Sequence, residues 1–376
     1  MLTKESRRAD FPSLDEMVYL NTAAEGIPPR CVVAAIEQYA QDKLLGMDGR
    51  VLHQWQWNGV RQGAAGLLGL SPDEIGVCSC SSEAFNLAAL ALQFRPGDEV
   101  VINDLDYPAG VTPWLQPACP AQVRLWKSRE GALRVEDLSP LLGSATRLVT
   151  LSLVSFFNGF KADLREVVET VHARCRALIA VDVTQALGRV PLDLQGIDLI
   201  VSSTHKWILG SHGGGLVGVP AARAADLTVP AGGWFNLDNA FENDRFERVV
   251  TKPGAASFSV GMPNYPAAYA VNAALRYISD TGVAAIHEHA QPLVHACMAG
   301  LKRLPVDMLT PDDPHALAGI IAFRHPKAGD IHRHLHERRI HVMYHAGRLR
   351  VAIHGYNTAD DVDRFLAALK EATSHV

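Results

Sequence analysis

The sequence has no CxxC pair, no apolar run long enough to cross a membrane and no extended basic block. Its six cysteines, Cys31, Cys78, Cys80, Cys119, Cys175 and Cys297, are scattered through 376 residues. That usage excludes a disulfide framework and predicts reduced thiols in a cytoplasmic protein. Cys78 and Cys80 alternate at a predicted strand end, which would put both on one face. The longest apolar runs are broken by Pro, Gly or charge, so no membrane span is expected. Charges of both signs are mixed to a formal net of −5, which leaves no nucleic-acid footprint. Lys4, Arg7 and Arg8 are not followed by an apolar h-region, so no secretory signal is expected. No GxGxxG follows a predicted strand, which disfavours a nicotinamide enzyme.

What remains is a chain that is 48% hydrophobic and rich in Ala, Leu, Val and Gly. It is long enough for one large or two medium domains. Runs of Val, Ile and Leu at Glu99–Ile102, Arg147–Leu153, Leu178–Val181, Leu199–Ser202 and Leu216–Val219 predict buried strands. Helical patterns lie between them at Glu83–Gln93 and Leu164–Arg176, the second with Asp163 as N-cap. Such alternation implies an α/β fold around a mostly parallel sheet covered on both faces. In the last third, helices are predicted over Asn264–Tyr277 and Val283–Arg303, a strand at Ile320–Phe323 and a helix near Gly329–Arg338. A strand near Arg348–Ile353 and a helix from Thr358 complete a smaller α+β unit. The expected division is 1–30 as an N-terminal segment packing near the site, 31–260 as the large domain and 261–376 as the small one. The Pro/Gly-rich stretch Lys252–Pro266 marks the boundary.

Three segments carry chemistry. The strand Leu178–Val181 runs into Asp182, followed by Val183-Thr184-Gln185. In open α/β sheets, ligands bind outside the carboxyl ends of the strands. A carboxylate there can hold a protonated ring nitrogen, although a strand-end Asp serves equally as a helix cap. The next strand ends in Ser202-Ser203-Thr204-His205-Lys206. A lysine directly after a buried strand is unusual, and in a dry polar pocket its amine becomes a nucleophile. Ser203 and His205 can donate to a phosphate, and Gly210 and Gly213–Gly215 let backbone approach a ligand. Ser81 and Ser82 stand where the helix Glu83–Gln93 begins, so free N–H groups and two hydroxyls converge as an anion site. N-capping is their plainer role.

Together, Asp-x-x-Gln at Asp182–Gln185 and Ser-x-His-Lys at Ser203–Lys206 resemble the class V aminotransferase family of fold type I pyridoxal-5′-phosphate (PLP) enzymes. That family includes cysteine desulfurases, selenocysteine lyases, kynureninases and isopenicillin-N-epimerase-like proteins. The likeness runs through nearly the whole chain. It implies a fold type I transferase with a mostly parallel, seven-stranded-type sheet in the large domain, and PLP as cofactor. It also implies Lys206 as the Schiff-base lysine, Asp182 at the pyridine nitrogen, Gln185 at the phenolic oxygen, and Ser81, Ser82, Ser203 and His205 at the phosphate. Asp104-Leu105-Asp106-Tyr107-Pro108 resembles the segment whose aromatic residue stacks on the cofactor, which gives Tyr107 that role. Arg348-Leu349-Arg350 resembles the strand whose arginine grips the substrate carboxylate, here Arg350. Arg348 lies on the same face two residues earlier. The stretch Tyr19–Ala24 resembles a segment lining the substrate pocket, through Asn21 and Ala23. A homodimer with its active site near the subunit interface is implied as well.

Three positions depart from the family pattern. No cysteine lies between His341 and Arg350, where persulfide-forming desulfurases carry one on a mobile loop. Phe156 stands where the family often has Asn and cannot supply that hydrogen bond, and the sequence leaves open whether Asn158 compensates. Met262 stands where a partner subunit often supplies a Thr to the phosphate. The expected function is therefore action on an amino acid through an external aldimine and an α-carbanion. The first expectation is a lyase of the β-elimination or C–S/C–Se cleavage type without the persulfide cysteine. Transamination, epimerisation and a catalytically inactive PLP-fold binding protein are the alternatives, and the shared cofactor motifs do not separate them. His332 and His336 share a helix face but lack an HExxH or Cys partner, so no metal site is expected.

Overall fold

The computed structural model describes residues 1–375. The chain opens with α1 (Lys4–Asp10), β1 (Val18–Tyr19), α2 (Arg30–Lys43) and α3 (Arg50–Leu68). A β/α series follows: β2 (Ile75–Cys78), α4 (Ser81–Leu92), β3 (Glu99–Asn103), β4 (Gln122–Trp126), α5 (Val135–Leu138), β5 (Thr146–Ser152), α6 (Leu164–Arg174), β6 (Leu178–Asp182), β7 (Leu199–Ser203) and β8 (Gly215–Gly218). The remainder comprises α7 (Tyr265–Thr281), α8 (Val283–Leu301), β9 (Asp307–Met308), β10 (Ile320–Arg324), α9 (Ala328–Glu337), β11 (Ile340–His341), β12 (Met343–His345), β13 (Arg348–Ala352) and α10 (Ala359–His375). Among the described residues, no helix is long and apolar enough to cross a membrane.

The large sheet has seven strands in the order β2-β8-β7-β6-β5-β3-β4. It is parallel except for β8, which runs antiparallel to both β2 and β7. Strand β6, Leu-Ile-Ala-Val-Asp, is buried at every position. Its Ile179 and Val181 join one apolar cluster and its Leu178 and Ala180 another on the opposite face. The period-two alternation thus feeds two cores, which is why these runs read as continuously apolar. Each such Val or Ile contributes about 1.5–3 kcal/mol by leaving water. The β5–β6 crossover helix α6 starts as the sequence predicts: Asp163 accepts from the Glu166 N–H at 3.1 Å, worth about 1 kcal/mol.

The second sheet is antiparallel, in the order β12-β13-β10-β9. Leu349 and Val351 of β13 pack into its own core with α8, α9 and α10. Arg348 and Arg350 therefore face the other way. The N-terminal segment ties the two sheets together. Strand β1 pairs with β11, Asn21 bridges to Ala352, and the Gly26 N–H donates to the His205 carbonyl at 2.8 Å. Gly26 is required there, because a Cβ would fall 2.1 Å from the Lys206 carbonyl oxygen. Helix α7, which follows the Pro/Gly-rich stretch, packs against α2 and α3. We propose that the smaller unit starts near Gly282, between α7 and α8, rather than at residue 261.

Candidate active site

Six strands of the large sheet end at the same edge, and β2, β3, β6 and β7 lead there into the residues of the site. Strand β6 delivers Asp182, and β7 delivers Ser203 and then Lys206. Beyond β3 come Asp106 and Tyr107. The Lys206 amine lies 5.1 Å from the centre of the Tyr107 ring. Among the described residues it makes no hydrogen bond or ion pair. Burial brings it down to about 8; Asp182 opposes that fall and Arg350 adds to it. A neutral, nucleophilic amine is therefore accessible near physiological pH. Asp182 is buried, which raises its pKa, while hydrogen bonding from Thr184 and the Lys206 charge pull it back. One carboxylate oxygen accepts from the Thr184 N–H at 2.8 Å. Gln185 donates to the Ala23 carbonyl at 3.0 Å and accepts from the Trp207 indole at 2.6 Å. Its amide is pinned between two segments, with one N–H left over.

An anion cradle lies beside this group. Ser203 donates through its hydroxyl to Ser81 at 3.0 Å, joining the end of β7 to the first turn of α4. Cys80, the N-cap of α4, provides no side-chain cap. The first-turn N–H groups therefore stay free for a ligand. Ser81 is buried and Ser82 exposed. Burial, with Lys206 and His212 nearby, brings His205 down to about 4, so its imidazole is neutral at pH 7. The His205 ring stacks on His212, with centroids 4.4 Å apart. Glu25 pairs with His212 at 3.2 Å. Among the described residues, these three form the one grouping with metal-ligand spacing.

The second sheet supplies the opposite wall. Arg350 is buried and donates to the Phe156 carbonyl at 2.8 Å, and Arg348 donates to the Phe157 carbonyl at 2.7 Å. The Nε of each is buried without a partner, as is the Asn21 Oδ1 beside Ala352. The Phe156 ring meets Tyr107 edge-on, with centroids 5.0 Å apart. The Tyr107 ring thus neighbours both this wall and the lysine. The donor set suits a ligand with an anionic end, a basic ring nitrogen and a carbonyl carbon open to an amine.

Several sequence expectations need correction. Asn158 does not substitute for the missing Asn at Phe156. Its amide donates to the Gly131 and Leu309 carbonyls and its oxygen accepts from the Phe160 N–H, which closes a turn away from the lysine. The glycines after Lys206 serve packing within the chain. A Cβ at Gly214 would fall 2.7 Å from Thr204 Oγ1, and one at Gly215 would fall 2.7 Å from the Cys80 carbonyl carbon. Cys78 and Cys80 do not share a face. Cys78 ends β2 and is buried, whereas Cys80 is the exposed N-cap of α4. The segment between His341 and Arg350 is a tight hairpin. Strands β12 and β13 pair His345 with Arg348 across a two-residue turn, Ala346 and Gly347, both at positive φ. Sequence reasoning also passed over Asp106. Its carboxylate accepts from the Ser152 N–H at 2.6 Å and from Asn103 at 2.9 Å. Burial, with repulsion from Asp182, pushes it up to about 7. The available signal was an acidic residue three positions past a buried strand.

The chain is similar to several known proteins. The aminotransferase class-V family model matches residues 18–365. A probable cysteine desulfurase of Methanothermobacter thermautotrophicus is 28% identical, over 99% of this chain and 98% of its own. An uncharacterized aminotransferase, YcbU, of Bacillus subtilis is 26% identical, over 99% and 98%. Among solved structures, a cysteine desulfurase of Thermococcus onnurineus superposes with a TM-score of 0.89 at 23% identity, covering 100% of this chain and 99% of that one. The cystine C–S lyase C-DES, solved with its product cysteine persulfide, superposes with a TM-score of 0.88 at 22% identity, covering 96% and 99%.

Proposed function

The chain belongs to the aminotransferase class-V family of PLP-dependent enzymes, and on that premise we propose that it is a lyase that cleaves a β-substituent from an amino acid without a persulfide cysteine. The cradle, the buried Asp182 and the free Lys206 amine fit pyridoxal phosphate. When bound, that cofactor supplies an electron sink for the charge developing at the substrate α-carbon. Ser81, Ser82, Ser203 and His205 would hold its phosphate, with the α4 N-terminus behind them. Asp182 would keep a proton on the ring nitrogen, the spare N–H of Gln185 is available to the phenolic oxygen, and Tyr107 would offer its ring face. Lys206 would be the attachment point, and its Nζ is the group suited to take the substrate α-proton. Arg350 grips the α-carboxylate with the donors that Phe156 leaves free, while Asn21 and Ala23 line the pocket.

The observation carrying the distinction from a desulfurase is the β12–β13 hairpin. Its two-residue turn has neither a cysteine nor the slack to present one. The test is keto-acid release from β-substituted amino acids by the PLP-loaded protein. Many turnovers without an added keto-acid acceptor support the lyase. Release limited to one equivalent per site, with steady turnover only when an acceptor is supplied, overturns it in favour of transamination.

A homodimer belongs to the same proposal. Leu44, Met47 and Trp55, around the α2–α3 connection, and Phe241 and Phe246 are exposed apolar side chains, of the kind a second copy covers. Sedimentation as a monomer at assay concentration would count against it.

A further inference from the structure

Arg189 is the internal standard for a structural buried arginine in this protein. It is fully buried and has no carboxylate partner among the described residues, yet each of its three nitrogens is engaged. Nε donates to the Ile353 carbonyl at 2.8 Å, Nη1 lies 3.4 Å from His287 Nδ1, and Nη2 donates to Gln291 at 3.5 Å. Arg348 is nearly as buried and is held by one hydrogen bond, to the Phe157 carbonyl at 2.7 Å. Its Nε is buried without a partner. Among the described residues it has no ion pair, and the residue opposite it on β10 is another cation, Arg324. The guanidinium lies 4.3 Å from the Phe157 ring centre and 5.6 Å from that of Phe156. It is fixed in direction by two aromatic rings but left unneutralised.

Arg350 repeats this arrangement two residues on: one hydrogen bond to a carbonyl, a buried unpaired Nε and, among the described residues, no carboxylate partner. Residues two apart on a strand face the same side, about 6.6 Å apart at Cα. On this face the row runs from Ala352, bridged to Asn21, through Arg350 to Arg348. Two desolvated cations at that spacing, each with donors to spare, form a receptor for two anionic groups on one small molecule.

We propose that Arg348 binds a second carboxylate, carried on the β-substituent of the substrate, so that the natural substrate is a β-substituted amino acid with an acidic side chain. This rests on the reading of Arg350 as the α-carboxylate site. The α-carboxylate docks on Arg350, and the side chain extends along β13 toward Arg348, past the Phe156 ring. An uncharged side chain of the same length would leave Arg348 buried and unneutralised, so the site discriminates against it.

The test uses amine-free ligands, so that binding is read apart from turnover. The PLP-loaded protein is titrated calorimetrically with succinate and glutarate, and with butyrate and pentanoate as matched monocarboxylates. The expected result is tighter binding of the dicarboxylates, by about tenfold or more. In Arg348→Leu the ratio collapses toward one, and Arg348→Lys, which keeps the charge, recovers part of it. Equal affinity of the wild-type protein for both ligand classes overturns the proposal without need of a variant. If Arg350→Leu still weakens monocarboxylate binding in that case, the proposed function stands and only the Arg348 assignment falls. If Arg350→Leu leaves monocarboxylate binding unchanged, the carboxylate site itself falls, and this inference with it.

Discussion

The two walls of the pocket are built on opposite principles. On the large-sheet wall three of the polar side chains already have protein partners, Asp182 with Thr184, Gln185 with Ala23 and Trp207, and Ser203 with Ser81, while Lys206 and the first-turn N–H groups of α4 stay free. On the small-sheet wall Arg348, Arg350 and Asn21 each keep a buried polar atom unsatisfied. A ligand that stays bound through every turnover favours a wall preorganised by hydrogen bonds, since reorganisation would be repeated each cycle. A ligand that comes and goes favours a wall whose free donors are satisfied only on binding, because those unmet bonds discriminate between substrates. The contrast supports the proposal that the first wall holds the cofactor and the second the substrate.

That allocation can be broken by mutation. The largest effect is expected from Lys206→Ala, which should lower turnover by roughly 10²–10⁴-fold or more and abolish the visible absorption change on adding PLP. Loss of turnover with the band intact would separate Lys206 from cofactor attachment. Next comes Asp182→Asn, expected to lower kcat by about 10²–10³-fold with little change in KM. A change in KM alone would move Asp182 to the substrate wall. For Arg350→Gln the expected effect is a rise in KM of about 10- to 100-fold, the worth of a charge-assisted hydrogen bond, with PLP affinity retained. Weaker PLP binding in that variant would erase the distinction between the walls.

The smallest expected effect concerns Asp106, on the cofactor wall. Its folded-state pKa, about 7, is above the ordinary 3.8. The stability linked to its protonated form is therefore fully present below about pH 4 and lost as pH rises through about 7. The cofactor-free protein should lose stability, read as a fall in Tm, across that window. Asp106→Asn should flatten the slope, and an unchanged Tm–pH profile in the variant would remove Asp106 as its source.

The cofactor wall was the more legible of the two from sequence. Its residues lie within a few positions of strands whose apolar runs announce themselves, and Asp182, Ser203 and Lys206 follow β6 and β7 directly. What escaped notice were pairings across long stretches of chain. Gln185 meets Ala23 across 162 residues and Arg350 meets Phe156 across 194, and no local period encodes such contacts. Strand β4 was also missed, because this edge strand is largely half-buried or exposed and its Arg124 is tied to Glu99 at 3.1 Å. The role of Asn158 stays open in the sequence because residue type alone does not say where an amide points. The glycines after Lys206 misled for a related reason: a need for close approach does not reveal whether the neighbour is a ligand or the chain itself.

The hairpin between β12 and β13 also bears on what becomes of the released group. Two residues at positive φ between paired strands leave no tether that could swing out with cargo attached. Under the proposed chemistry, the fragment cut from the substrate departs as a free solute, at a rate set by diffusion from the pocket. Any acceptor for it must then compete with bulk water instead of collecting it from the protein by hand-off.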